Sequence, residues 1–215
     1  MAAGKSDKPD AMMHATRYLG TPARKHMPRL IALTDPTRGP DPFAALAAVP
    51  HGSILIWRAY GIDISRSELA KLSRAAHAKR CLLLLSGSNR TACPGIDGIH
   101  LAEHMLNTPH TDGMSVRARR SRPGLLVTAA AHSQSAILAA ARAGADAVLI
   151  SPVFATASHP GARTLGVTRF AQLAHFALSL GLSAYALGGV TTPDKLRRLR
   201  GSGASGIAGI GFLAR

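Results

Sequence analysis

Short apolar runs recur along the chain, and each is followed by polar or glycine-containing positions. Runs of this length, ended by turn residues, are typical of strands that are buried on both faces. The pattern predicts eight strands, at 29–35, 53–57, 81–85, 96–101, 124–130, 147–150, 183–187 and 206–210.

Helical patterns alternate with these runs. Some helix starts carry capping signals, with Asp41 before Pro42 and with Ser65 three residues before Glu68. A side-chain oxygen at such a position accepts a hydrogen bond from a first-turn N–H group, and proline fits the first helical position. The main predicted helices cover 43–49, 65–79, 133–143, 167–180 and 193–201.

Strands and helices that alternate in this number predict a compact (β/α)₈ barrel. An open doubly wound sheet is the alternative, because two of the helices are weak. The polar segment 102–123 offers only a short helix at 115–120, and 211–215 leaves a short or missing last helix. Residues 1–27 lack apolar periodicity and predict a flexible basic N-terminal extension, so the barrel domain is placed at 28–215.

Composition narrows the class of protein. Hydrophobic residues make up 47% of the chain and aromatic residues 4%, so the core is expected to consist mainly of Ala, Leu, Ile and Val. No apolar run reaches the ~18 residues of a membrane span. Cys81 and Cys93 lack a metal-like spacing, which favours a reduced, cytoplasmic setting.

The chain is strongly basic, with 26 Lys and Arg against 11 Asp and Glu and a net charge of +15. Such a balance fits nucleic-acid binding or an anionic substrate. The basic residues lie in separate segments without interleaved aromatic residues, which favours a small phosphorylated substrate over nucleic acid. The sequence does not determine the oligomeric state, and a homo-oligomer is possible.

Glycine follows the last two predicted strands, as Gly188 and Gly189 and as the Gly209-Ile210-Gly211 segment. Barrels bind phosphate at these ends, where bare backbone N–H groups surround the anion. A Gly-Gly pair alone is more often a tight turn, but two such ends together favour a phosphate site.

The loop after the sixth predicted strand is rich in hydroxyl groups and contains Thr156, Ser158 and His159. Ligands of α/β proteins bind at the carboxyl ends of strands. These three side chains are therefore candidate substrate-binding or catalytic groups.

One ordered series of motifs resembles the thiamine-phosphate synthase/TenI family and extends from about Arg29 to the C-terminus. The motifs are Leu33-Thr34-Asp35, Asp97-Gly98-Ile99-His100-Leu101, Ala131-His132-Ser133, Gly144-Ala145-Asp146, Ser151-Pro152-Val153-Phe154 with Thr156, and Leu187-Gly188-Gly189-Val190.

This resemblance implies a (β/α)₈ barrel that acts in thiamine biosynthesis. Synthase members join a hydroxymethylpyrimidine pyrophosphate to a thiazole phosphate with Mg²⁺, whereas TenI-like members shift a proton within the thiazole phosphate carboxylate without a metal. In both, the thiazole phosphate would lie near Gly189, Ile210 and Gly211, close to Thr156 and Ser158.

Departures from the synthase pattern concern the metal and the pyrophosphate. Tyr60 replaces a lysine, and His159 stands where a loop lysine is expected. The positions of two metal carboxylates fall in 86–88 and 102–105, which contain only Glu103 as a carboxylate. Because Mg²⁺ prefers oxygen ligands, no metal is expected unless Glu103 serves as a displaced ligand.

The sequence therefore favours a TenI-like thiazole tautomerase with His132 as acid and base, since histidine titrates near neutral pH. His159 and His100 are supporting candidates, and Arg58 would position substrate. His132 could instead cap or pack a helix, His100 could hold a strand end, and Arg58 could stack on Trp57.

Two alternatives remain open. One is a divergent Mg²⁺-dependent thiamine-phosphate synthase. The other is a non-catalytic protein that binds a phosphometabolite or nucleic acid.

Overall fold

The computed structural model of the chain describes residues 8–20, 27–35, 41–58, 65–87, 93–106, 122–156, 161 and 163–210. Within these ranges, eight parallel strands form a closed barrel in which β8 pairs back to β1. The predicted barrel is confirmed, and the open-sheet alternative is wrong. The strands are β1 Leu30–Leu33, β2 Ile54–Trp57, β3 Leu82–Ser86, β4 Gly98–Leu101, β5 Leu126–Ala131, β6 Ala147–Ile150, β7 Ser183–Leu187 and β8 Gly206–Gly209.

The helices lie outside the barrel, and most begin at the caps that the sequence predicts. Asp41 accepts hydrogen bonds from the N–H groups of Phe43 and Ala44, and the Ser65 hydroxyl accepts one from Glu68. The described α-helices are α1 Lys8–Ala15, α2 Pro42–Ala48, α3 Arg66–Ala78, α4 Gln134–Arg142, α5 Gly166–Ser179 and α6 Pro193–Arg197, with 3₁₀ helices at Thr16–Leu19 and Glu103–Met105.

The strands consist mainly of apolar residues because both of their faces are buried. In β1, Ile31 and Leu33 belong to the cluster inside the barrel, whereas Leu30 and Ala32 belong to the cluster between barrel and helices. Near-continuous apolar runs are typical of parallel strands covered by helices. The Tyr185 ring lies inside the barrel, and its hydroxyl donates to the Pro28 carbonyl at 2.6 Å.

The N-terminal segment differs from the flexible extension predicted for residues 1–27. Residues 8–19 form α1 and the first 3₁₀ helix, which pack against α6, and the 3₁₀ helix also contacts β8. Met12 and Leu19 are fully buried there, and Met27 joins the cluster inside the barrel. Burial of these side chains holds the segment in place, and two turns of helix were too short for a periodic pattern.

Other expectations fall outside the described residues, namely the short helix at 115–120 and the last helix at 211–215. The domain boundary between residues 27 and 28 stays a prediction. None of the helices within the described ranges is long and apolar enough to cross a membrane.

Candidate active site at the carboxyl ends of the strands

His132 directly follows β5, and its ring is held by the residue that follows β6. The Nδ1 atom lies 2.6 Å from the Ser151 carbonyl oxygen and 3.2 Å from the Ser151 hydroxyl. A carbonyl oxygen can only accept, so Nδ1 carries the proton in this arrangement, and Nε2 of the neutral ring is the basic nitrogen. The side chain is 53% exposed, so solutes can reach the ring.

Glu103 connects the end of β4 to His132. Its Oε2 atom accepts a hydrogen bond from the His132 backbone N–H at 2.7 Å and lies 3.8 Å from His132 Nε2. Because β5 pairs with β4 on one side and with β6 on the other, Glu103, His132 and Ser151 come together at the ends of these three strands. From the sequence, Glu103 is considered only as a possible metal ligand. Because it follows β4, and β4 pairs with β5, its position beside His132 could have been inferred from the order of the strands.

Arg58 follows β2 and is fixed against the end of β1. Its Nε donates to the Thr34 carbonyl at 2.6 Å, its backbone N–H donates to the Thr34 hydroxyl at 3.0 Å, and Nη2 donates to Asp35 at 3.3 Å. Asp35 therefore balances the charge of this guanidinium. The sequence motif contained Asp35 but did not assign it this role.

His100 lies inside the barrel, and its Nδ1 is 2.9 Å from the Thr128 hydroxyl, its register partner on β5. Burial, followed by the charge of Arg58, lowers the pKa of His100 to about 3. The ring is consequently neutral near pH 7 and cross-links two strands. This geometry matches the strand-holding interpretation, and contact with substrate stays a prediction.

Gly188 and Gly189 lie where the loop after β6 packs on the end of β7. Both have positive φ, and a Cβ on Gly189 would come within 2.6 Å of the Ala155 carbonyl oxygen. The Phe154 N–H also donates to the Gly188 carbonyl at 3.0 Å. Close packing thus requires glycine here whether or not phosphate binds.

The same turn exposes backbone donors. Within the described ranges, the N–H groups of Gly188 and Gly189 make no hydrogen bond to another residue. Successive N–H groups of this kind form a concave anion site. Thr156 lies nearby, since its methyl carbon would be 3.3 Å from a Cβ on Gly188. The turn therefore offers two backbone donors of the kind that bind phosphate, and phosphate binding here stays a prediction.

Two cations on α6 and at its end flank Phe154. The Lys195 ammonium lies 5.9 Å and the Arg198 guanidinium 5.1 Å from the centre of its ring. These cation–π contacts attach the loop after β6 to α6 and add positive charge near the Gly188–Gly189 turn. The sequence predicted the helix but not this contact, which joins segments about 40 residues apart.

The remaining predicted site residues are placed only in part. Ile210 follows β8 and is half-buried, whereas Ser158, His159 and Gly211 lie outside the described residues. The carboxyl ends of the eight strands form one end of the barrel, which we call the barrel mouth. The structure brings His132, Glu103 and Ser151 together at one side of this mouth, and Arg58 with Asp35 at another.

Two carboxylates among the described residues lie beside the candidate catalytic side chains, Asp35 beside Arg58 and Glu103 beside His132. The described residues contain no group of three or more His, Cys, Asp or Glu side chains that could hold a metal. Asp35 is paired with Arg58, and Glu103 accepts the His132 N–H. Mg²⁺ usually binds through one or two carboxylates together with waters and substrate phosphates, so the expected absence of a metal stays a prediction.

Comparison with known proteins gives a consistent family. A family model described as thiamine monophosphate synthase matches residues 46–213. A protein of Aquifex aeolicus (strain VF5) named "Putative thiamine-phosphate synthase 2" is 30% identical over 190 residues, covering 86% of this chain and 96% of the relative.

Solved structures share the fold at lower identity. The thiamine phosphate pyrophosphorylase from Pyrococcus furiosus is 22% identical with a TM-score of 0.62, and 84% of each chain is covered. The deoxyribose phosphate aldolase from Aeropyrum pernix is 16% identical with a TM-score of 0.58, and 94% of each chain is covered. At these identities the likeness concerns the barrel alone.

Proposed function

Because the chain belongs to the thiamine monophosphate synthase family, we propose that it is a thiazole tautomerase, which shifts a proton within thiazole phosphate carboxylate. The family acts on small phosphorylated substrates. The observation that supports this reaction is His132, whose Nδ1 is held by the Ser151 carbonyl while the side chain remains half exposed.

The proposed step is general acid–base catalysis. Nε2 of neutral His132 takes a proton from one position of the bound thiazole, and the imidazolium returns a proton to another position. One bond to hydrogen breaks and another forms, and no group leaves the substrate. Glu103 acts as a positioning residue because it accepts a hydrogen bond from the His132 backbone N–H. Its carboxylate lies 3.8 Å from Nε2 and stabilises the positive charge of the transient imidazolium.

The phosphate is proposed to bind at the turn after β7. The N–H groups of Gly188 and Gly189 would donate to it, with Thr156, Ser158, Ile210 and Gly211 around it. Lys195 and Arg198 beside Phe154 favour an anion at this end. Arg58 is proposed to orient the carboxylate, since a guanidinium matches carboxylate geometry.

The proposed reaction needs no metal. Proton transfer produces no pyrophosphate leaving group, so the charge that Mg²⁺ would neutralise does not develop. In this proposal Asp35 pairs with Arg58 and Glu103 holds His132, and neither carboxylate is assigned to a metal. Treatment with EDTA is expected to leave the rate unchanged.

The central test is His132→Ala, assayed by ¹H NMR for tautomer interconversion and for deuterium uptake into the thiazole phosphate in D₂O. Loss of a general acid–base group typically lowers the rate by about 10²–10⁴-fold. His51→Ala, which changes an exposed histidine away from the mouth, is the matched control and should keep the wild-type rate. Unchanged interconversion in His132→Ala would overturn the proposal.

A divergent synthase is the second candidate, supported by the name of the Aquifex aeolicus relative. This activity would join hydroxymethylpyrimidine pyrophosphate to thiazole phosphate and release pyrophosphate in the presence of Mg²⁺. The expected result is no thiamine phosphate in that mixture. Its formation, abolished by EDTA, would replace the tautomerase proposal.

A further inference from the structure

A cavity of about 400 Å³ lies at the opposite end of the barrel from His132. It is bordered by α1, the first 3₁₀ helix and the residue that precedes β1. Among the described residues that line the cavity, three have basic side chains and none has a carboxylate. The lining residues are Met13, His14, Thr16, Arg17 and Arg29.

Arg29 is held firmly at the wall of this cavity. Its Nη1 donates to the Thr16 carbonyl at 3.3 Å, and its own carbonyl accepts the Ile207 N–H at 2.9 Å. The backbone is thereby tied to β8 while the guanidinium links the barrel to the 3₁₀ helix. A guanidinium carries five donors, so the bond to Thr16 leaves it able to bind a ligand as well.

Arg17 contacts the side chain of its neighbour Tyr18. Its Nη2 donates to the Tyr18 hydroxyl at 3.0 Å, and its guanidinium carbon lies 5.0 Å from the centre of the Tyr18 ring. This bond and the charge of Arg17 lower the pKa of Tyr18, and the charge of Arg197 on α6 adds to the effect. Arg17 therefore adds positive charge beside the cavity, whereas Arg197 on α6 is paired with Asp194.

We propose that this cavity is a second anion site, which binds the phosphate of a small phosphorylated molecule between Arg17 and Arg29. Planar guanidinium groups match phosphate oxygens, and positioned arginines lose little side-chain entropy on binding. The site is open to solvent, and its volume of about 400 Å³ leaves room for a small phosphorylated molecule.

This site is separate from the barrel mouth. Arg29 precedes the four residues of β1, and Arg58 and His132 follow the carboxyl ends of β2 and β5. Four strand residues span about 13 Å. A single small phosphate cannot occupy both ends, so the proposal does not depend on the tautomerase activity.

The test uses the full-length, uniformly ¹⁵N-labelled chain and inorganic pyrophosphate as the probe, at constant ionic strength, so that arginine side-chain and glycine backbone signals are both observed. The Nε–H signals of Arg17 and Arg29 are expected to shift saturably. Arg17→Gln, an exposed change that preserves the backbone, should weaken this binding about tenfold, the loss of one charge-assisted hydrogen bond. Arg74→Gln on α3 removes the same charge elsewhere and should leave binding unchanged.

Three outcomes would overturn the proposal. The first is a shift confined to the amides of Gly188 and Gly189, which would place pyrophosphate only at the mouth. The second is equal weakening in Arg17→Gln and Arg74→Gln, which would indicate a response to total charge. The third is tighter, strongly salt-dependent binding of a single-stranded RNA oligonucleotide, which would indicate an extended nucleic-acid surface.

Discussion

Gly189 shows how a single residue can serve packing and ligand binding at once. Its φ of +70° and the approach of the Ala155 carbonyl both require the absence of a side chain. The N–H that this conformation exposes is the one proposed to hold phosphate. The sequence predicted the glycine end but not the contact with the loop after β6, because that contact joins two separate loops.

Gly189→Ala is expected to destabilise the protein by about 2–4 kcal/mol, since strain at positive φ adds to displacement of a neighbouring backbone. Gly52→Ala is the matched control, because Gly52 has a φ of +72° and no atom within 4 Å of the position that a Cβ would occupy. It should cost only about 1 kcal/mol. Urea unfolding compares the two variants, and equal losses would show that the loop contact does not matter.

The element that sequence patterns missed is the N-terminal helical segment. The strands and capped helices of the barrel are predictable because their signals are local: short apolar runs, Asp41, Ser65 and the glycines that end helices. The segment at 8–19 has no comparable signal, since its burial depends on the surface that α6 and β8 present.

Leu19→Ala is expected to lower the free energy of unfolding by about 2–5 kcal/mol, the usual cost of a cavity at a fully buried leucine. Leu180→Ala removes the same atoms from a side chain that is 37% exposed and should cost less than about 1 kcal/mol. Chemical denaturation of both variants gives the comparison. Similar small losses would mean that the N-terminal segment does not stabilise the barrel.

At the scale of the whole molecule, the pairing of consecutive strands decides which candidate residues meet. The sequence correctly placed His132, Arg58 and the Gly188–Gly189 turn after separate strands. It placed Glu103 and Asp35 at the ends of strands adjacent to those before His132 and Arg58, but the individual contacts depend on the register between strands, which is a tertiary property. Closure of the barrel places His100 inside it.

The buried His100 makes the stability of the whole protein dependent on pH. Its pKa is about 3 in the folded chain, against the ordinary 6.5 when unfolded. Above pH 6.5 both states are neutral and the group has no effect. As pH falls from 6.5 towards 3, only the unfolded state takes up the proton, so folding loses about 1.4 kcal/mol per pH unit.

Urea unfolding at pH 7 and pH 5 can isolate this effect. The loss of stability between the two values should be about 2 kcal/mol larger in the wild type than in His100→Asn, whose side chain does not titrate. The asparagine amide can still donate to the Thr128 hydroxyl, so the variant retains a partner for that residue. The other titrating groups are common to both proteins and cancel in the difference. If the free energy of unfolding depended on pH identically in the wild type and in His100→Asn, His100 would take up a proton in the folded barrel as readily as in the unfolded chain.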